Sequence, residues 1–323
     1  MKAITQDRYG SADVLRLTDV AMPPVGDRDV LIRVRAAGVD PGVWHLMTGL
    51  PYVVRIMGYG LRAPRTRVRG YDVAGTVEAV GGNVTRFRPG DPVFGMCDGS
   101  FAEHACARER NLSPKPANLT FVQAAAVPVS GLTALQGLRD HGRVEAGQGV
   151  LVTGAGGGVG TFAVQLAKAF GAEVTGACSA PKVDLVRSIG ADHVVDSTHD
   201  DLTQARRRYD LILDTAGARP LSQLRRVLAD RGTLVIVGAE GGDRWIGGID
   251  RQLRAVLLSA FVRHTLRMFI ARCRAEDLRL LAELIEAGKV RPVIDQVFPL
   301  SAAADAVRYL AEGRARGKVV IEV

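Results

Sequence analysis

VLVTGAGGGVGTFAVQLAKAFGAEV, residues Val150 to Val174, places an apolar strand-like run, a glycine-rich turn and a helix-forming segment in immediate succession. That context turns a glycine pattern into a physical argument. Residues without a Cβ let the backbone approach a pyrophosphate, and the free N–H groups and positive end of the following helix attract its charge. In the pattern G-x-G-x-x-G the chain has Ala155 at the first position, Gly157 at the third and Gly160 at the sixth. Gly157 is expected nearest the phosphates, Gly158 and Val159 open the helix, and Gly160 permits tight helix packing. The segment predicts a dinucleotide-binding unit.

Working outward, short Val- and Leu-rich runs alternate with helical patterns on the C-terminal side: Glu173 to Ala177, Lys182 to Ile189, His193 to Val195, Leu211 to Asp214 and Leu234 to Val237. This alternation predicts βαβ units around a parallel sheet. On the N-terminal side, alternating runs at Val30 to Ala36, Val73 to Val80 and Pro92 to Met96 are separated by Gly, Pro and Asp turns, a mainly-β pattern. Ala275 to Ala287 has helical spacing and stops at Gly288, and Val293 to Leu300 and Lys318 to Val323 read as strands again. The simplest organisation is a Rossmann unit at 121–272 inserted into a mainly-β unit of 1–120 plus 273–323.

The 323 residues are too many for one core of ordinary size, and 47% hydrophobic with 24% charged residues is the usage of a folded globular protein. MKAITQDRYG has no apolar core flanked by basic residues, so no secretory signal is expected. The apolar stretches are too short or, as in Arg254 to Ile270, too interrupted by charge to span a bilayer. Cys97, Cys106, Cys178 and Cys273 form no CxxC pair, which argues against a zinc ribbon or disulfide framework and for a reducing, cytoplasmic setting. The net charge of +8 comes from arginines scattered among acids, with no aromatic-interleaved basic stripe, so nucleic acid is not an expected partner.

The choice of dinucleotide is read at the end of the strand after the glycine turn. An NAD site places a carboxylate there for the ribose hydroxyls. This chain has Ala177, Cys178, Ser179 and Ala180, followed by Lys182, while Asp184 falls on the next helix. A hydroxyl from Ser179 and the charge of Lys182 suit a 2′-phosphate. NADPH is the expected cofactor.

Three motifs in order, GYDVAGTVEAVGGNVTRFRPGDPVFG (Gly70 to Gly95), AAAVPVSGLTALQGL (Ala124 to Leu138) and the glycine loop, resemble the medium-chain dehydrogenase/reductase superfamily, nearest its quinone oxidoreductases. The resemblance runs through RGKVVIEV at the end of the chain. It implies a Rossmann domain inserted into a GroES-like catalytic domain, hydride transfer to quinones, enones or related carbonyls, and a homodimer paired through the edge strands of the Rossmann sheets. Zinc-containing alcohol dehydrogenases of the superfamily hold their metal with Cys, His and Cys, a Glu lying beside the His. Asp40, Tyr71 and Ser130 stand at those three positions here, and Asp72 stands for the Glu. Tyrosine and serine are poor zinc ligands, so no metal is expected. Quinone-reductase relatives usually carry Asn where this chain has Asp40, near the nicotinamide end of the cofactor; a carboxylate there would bind ribose hydroxyls or, if buried, hold a proton. The resemblance also places Ser130 and Thr133 near the nicotinamide ribose or carboxamide, Ser197 at the adenine end in place of the family's tyrosine, and Lys318 at the family's C-terminal lysine; Gly238, after the strand Leu234 to Val237, is expected at the mouth of the sheet, where ligands bind in open α/β folds.

Reduction of an enone by hydride leaves an enolate that needs a proton or hydrogen bond. Tyr52 is the preferred donor, since related polyketide enoyl reductases have a tyrosine at about this point; Tyr71 and His45 are alternatives. Competing readings are an alcohol dehydrogenase or carbonyl reductase, and a protein that binds NADPH as a sensor without turnover. RIMGYGLRAPRTR, within Arg55 to Arg69, is an insertion-like basic stretch that would form a lid or meet a partner.

Overall fold

Alternating apolar residues in the N-terminal region and continuous apolar runs in the middle produce two different sheets. The computed structural model describes residues 1–199, 207–238 and 244–323. Its strands, in chain order, are β1 (Lys2–Thr5), β2 (Arg16–Asp19), β3 (Asp29–Val39), β4 (Asp72–Val80), β5 (Pro92–Met96), β6 (His104–Arg108), β7 (Leu112–Pro114), β8 (Gly149–Thr153), β9 (Glu173–Cys178), β10 (His193–Asp196), β11 (Tyr209–Asp214), β12 (Leu228–Ile236), β13 (Thr265–Met268), β14 (Ile294–Pro299) and β15 (Lys318–Glu322).

The chain divides into two compact units. One comprises Met1–Leu132, Cys273–Gly288 and Pro292–Val323, and the other Thr133–Arg272 with Lys289–Arg291. The first, GroES-like unit holds a seven-stranded sheet in which β14-β15-β3-β4-β5-β7 run in sequence and β6 pairs with β3. Only β14 and β15 are parallel in it. Val30, Ile32 and Val34 of β3 face a core shared with Val73, Val77, Val93 and Leu112. A second core is built from Val39, Val43, Met47, Phe101, Val307 and Ile321. Near the end of the first segment Thr120 caps the helix Phe121–Ala125, its hydroxyl accepting from Gln123 N while Gln123 Oε1 accepts from Thr120 N.

The second unit is a six-stranded parallel sheet in the order β10-β9-β8-β11-β12-β13. Strand order reverses between β8 and β11, the Rossmann switch point where ligands sit beyond the carboxyl ends of the strands. Val150, Leu151 and Val152 of β8 are wholly buried, as a central strand covered on both faces must be. The helix Gly158–Ala169 follows and buries Phe162, Val164 and Leu166. No helix among the described residues is long and apolar enough to cross a membrane.

Candidate active site

In the GroES-like unit, three charged side chains from distant parts of the sequence meet in the interior. Asp40 follows β3 as the N-cap of the helix Pro41–Thr48, yet its carboxylate makes no capping bond. It is instead turned to Lys318, whose ammonium lies 2.5 Å from Asp40 Oδ1 and 3.2 Å from Asp72 Oδ2. Sheet register causes this meeting: Val319 pairs with Val39 on one side of β3, and Ala74 pairs with Ala36 on the other. Val129 N donates to the remaining oxygen of Asp72 at 2.8 Å, and Ser130 Oγ donates to Asp40 Oδ1 at 3.3 Å. Gly38 must be glycine, because a Cβ there would stand 2.6 Å from both Asp72 Oδ2 and the Ala125 carbonyl.

All three charges are buried, at 3%, 0% and 2% exposure for Asp40, Asp72 and Lys318. Two carboxylates against one ammonium leave an excess negative charge in low dielectric. Burial, and then Asp40, push the Asp72 carboxyl well above the usual carboxylate range despite Lys318. Burial alone would lower the Lys318 pKa, but Asp40 and Asp72 outweigh it and the ammonium is held above its ordinary value. Asp40 Oδ2 is buried with no hydrogen-bond partner. Of the three positions that carry zinc ligands in zinc-containing relatives, Asp40 and Ser130 are thus in contact. Tyr71 packs its half-buried ring against the apolar cluster of Val43, Met47 and Phe101, and burial, with Asp98, pushes its phenol pKa up.

Tyr52 lies under the Arg55 guanidinium, 4.7 Å above its ring centroid. His45 Nδ1 is within 2.9 Å of the Leu50 carbonyl, and its ring meets Trp44 edge-on, a packing arrangement for the alternative donor.

In the Rossmann unit the glycine loop has the geometry its sequence requires. Gly154 turns at φ 64°, and a Cβ on Gly160 would stand 2.1 Å from the Gly154 carbonyl. Ala155 is buried, its N–H donating to Ala177 O at 3.0 Å. A Cβ on Gly157 would meet only the Gly154 carbonyl, at 3.4 Å, so this face is open to an approaching group. Gly157 caps the helix with no side chain on its first N–H groups, and Gly158 and Val159 are half-buried there. The residues fit a dinucleotide pyrophosphate.

Lys182 lies across this loop, with its Cβ 2.7 Å from where a Gly156 Cβ would be. Ser179 follows β9 and Ser197 follows β10, and Ser197 N donates to Cys178 O at 2.7 Å, so both hydroxyl residues and Lys182 collect at one corner of the sheet. Gly238 approaches the backbone after β11 so closely that a Cβ would be 2.4 Å from Thr215 O. Thr133, in the helix Pro128–Gln136, is 8% exposed.

Three residues that the sequence reading did not single out belong to this unit's carboxyl-end edge. Asp214, wholly buried at the end of β11, accepts from Thr153 Oγ1 at 2.5 Å, from Arg251 Nη2 at 2.5 Å and from Gly217 N at 3.3 Å. Arg251 Nε donates to Arg219 O at 3.0 Å, and Arg219 Nη2 donates to Ser197 O at 3.4 Å. An acid closing an apolar strand was a visible signal for Asp214. The two arginines sit in polar sequence that resembles any solvated segment.

Comparison with known proteins agrees with this architecture. Residues 26–117 match the alcohol dehydrogenase GroES-like domain, and residues 189–321 match the family described as zinc-binding dehydrogenase. The 2-methylene-furan-3-one reductase of Solanum lycopersicum is 35% identical, covering 99% of this chain and 79% of its own length. The NADPH-dependent alkenal/one oxidoreductase of Arabidopsis thaliana is 34% identical over the same shares, 99% and 79%. Among solved structures, the quinone oxidoreductase from Coxiella burnetii superposes with a TM-score of 0.89 at 29% identity, covering 100% of this chain and 99% of that one.

A GroES-like unit joined to a Rossmann unit with an open glycine loop defines a nicotinamide-type oxidoreductase. The chain belongs to the medium-chain dehydrogenase/reductase superfamily, in its quinone-oxidoreductase-like branch.

Proposed function

We propose that the protein reduces a quinone or an α,β-unsaturated carbonyl with NADPH and without zinc. The observation that carries this reading is the Lys318 ammonium bound to Asp40 Oδ1 at 2.5 Å. It places a cation against the first of the three ligand positions, the other two being the phenol of Tyr71 and the hydroxyl of Ser130. A carboxylate held by an ammonium, with tyrosine and serine, is a weak donor set for zinc beside thiolate and imidazole. The relatives named for quinones and for alkenals or alkenones support the substrate class.

NADPH supplies a hydride when bound. The open face at Gly157 and the N–H groups of Gly158, Val159 and Gly160 hold the pyrophosphate. Ser179, Lys182 and Ser197 hold the 2′-phosphate, with Arg219 adding a second positive charge at that corner. Within the Rossmann unit, Thr133 and Gly238 would bind and orient the nicotinamide end. Tyr52 gives its phenolic proton, or a hydrogen bond, to the oxygen on which negative charge develops, and solvent returns the proton. Tyr71, kept protonated by burial, is the second donor.

Steady-state NADPH oxidation against a panel of quinones, enones and simple aldehydes, with metal analysis of the same sample, tests the reading. Turnover of quinones or enones that survives chelation is expected; one zinc per chain, or turnover of aldehydes alone, overturns it. Lys182→Ala should weaken NADPH by about 1–3 kcal/mol, the scale of a charged hydrogen bond, and leave NADH nearly unchanged. Tyr52→Phe should lower turnover roughly 10²-fold with NADPH affinity retained.

The reading extends to a homodimer through edge strand β13. Leu253, Val256 and Leu257 of the helix Ile249–Ser259, together with Phe261, are exposed on this unit. Light scattering of Leu257→Glu/Phe261→Glu, expected to be monomeric, checks it.

A further inference from the structure

Four residues beyond Tyr52 the chain makes a turn, IMGYGL, whose large side chains are in water: Ile56 is 74% exposed, Met57 57%, Tyr59 44% and Leu61 69%. Single exposed apolar residues are ordinary, but four within six consecutive positions form a patch. The turn is held firmly from beneath. Arg55 Nε donates to Gly49 O at 2.9 Å, and its guanidinium lies between the rings of Tyr9 and Tyr52, at 4.3 Å and 4.7 Å. Tyr9 Oη donates to the carbonyls of Tyr59 and Gly60 at 3.1 Å and 2.6 Å, and Arg65 N donates to Tyr59 O at 2.8 Å. At Gly60, φ is 112° and a Cβ would strike Ala63 O, so only glycine makes this bend. The brace fixes the turn with its apolar side chains outward.

Charge is as one-sided as the apolarity. From Pro41 to Tyr71 the chain has five arginines and no Asp or Glu. Arg55 points inward to its clamp, Arg69 is buried, and Arg67 is neutralised by Asp7 at 2.7 Å. Arg62 and Arg65 remain exposed and, among the described residues, form no ion pair. An apolar tip flanked by two unneutralised cations is complementary to a surface that is anionic outside and apolar just beneath.

We propose that the 56–65 turn docks the protein on an anionic lipid surface, with Ile56, Met57 and Leu61 entering the acyl boundary and Arg62 and Arg65 among the headgroups. Tyr59 takes the interfacial position that suits an amphipathic ring. Resting on the quinone reading above, this contact gives the enzyme a substrate class, lipid-soluble quinones taken from the bilayer.

Co-sedimentation with vesicles tests the proposal, using equal parts phosphatidylglycerol and phosphatidylcholine, or phosphatidylcholine alone. The protein is expected to pellet with the anionic vesicles at low salt and far less with the neutral ones. Arg62→Gln/Arg65→Gln should lower partitioning about 30-fold, from roughly a fivefold effect per basic residue. Ile56→Ser/Leu61→Ser should lower it at least tenfold. Neither double variant should change NADPH oxidation on a water-soluble enone in the absence of vesicles. Wild-type protein remaining in the supernatant, or the serine variant pelleting like wild type, overturns the proposal. A raised KM for the soluble enone in the serine variant would make the turn a cover over substrate, and a changed elution volume would make it a subunit contact; either also overturns it. Vesicle binding without turnover of any quinone or enone would leave the docking surface standing and refute the functional reading.

Discussion

Each unit buries a carboxylate beside a cation, and the two arrangements differ in one charge. Asp214 in the Rossmann unit has Arg251 to itself, with Thr153 and Gly217 supplying further hydrogen bonds, so the group is electrically balanced. In the GroES-like unit Asp40 and Asp72 share Lys318. Desolvated charge is tolerated when paired and bonded, and an excess charge is relieved by taking up a proton. The balanced group locks a strand end. The unbalanced group raises the affinity of the Asp72 carboxyl for a proton and leaves Asp40 Oδ2 buried without a hydrogen-bond partner.

The largest effect is expected from Lys318→Met, which removes the only cation among three buried groups. Stability should fall by about 4 kcal/mol, within the range for breaking a buried ion pair from one side. Urea denaturation measures this, and a loss below about 1 kcal/mol would mean that Lys318 contributes little to holding the two carboxyls. Arg251→Leu should cost less, about 3 kcal/mol. Asp214 keeps its bonds to Thr153 and Gly217, and the Arg251 side chain is 16% exposed and partly screened. A larger loss for Arg251 than for Lys318 would break the comparison.

The smallest effect sharpens it. The raised pKa of Asp72 means that the folded state binds a proton more tightly than the unfolded chain does. Stability tied to Asp72 is therefore fully present below the ordinary carboxylate pKa of about 4 and is lost as pH rises from there through the raised folded value. Asp40→Asn removes the neighbouring charge and should flatten this decline, leaving stability at pH 7 equal to wild type or about 1 kcal/mol higher. Thermal unfolding followed from pH 4 to pH 8 is the measurement. Parallel curves for the two proteins would show that Asp40 does not act on Asp72.

Some of this was legible along the chain. The glycine loop, the strands around it and the change from period-two to βαβ patterning are local signals, because their physical causes lie within a few residues: the missing Cβ atoms at Gly157 and Gly160, and the apolar run of β8. Other features sit next to residues that the sequence did mark and were still missed. Arg219 and Arg251 have no pattern to distinguish them from solvated arginines until the helix Ile249–Ser259 brings Arg251 to Asp214 and to the Arg219 carbonyl.

What the sequence determined by itself is the superfamily, the dinucleotide loop and the unusual residues Asp40, Tyr71 and Ser130 at the ligand positions. The tertiary structure decided what those residues do. Asp40, Asp72 and Lys318 become one electrostatic unit only because β3 is paired on one side with β15 and on the other with β4. Coulomb interactions depend on distance in space, and no residue spacing along a chain reports that position 318 lies 2.5 Å from position 40.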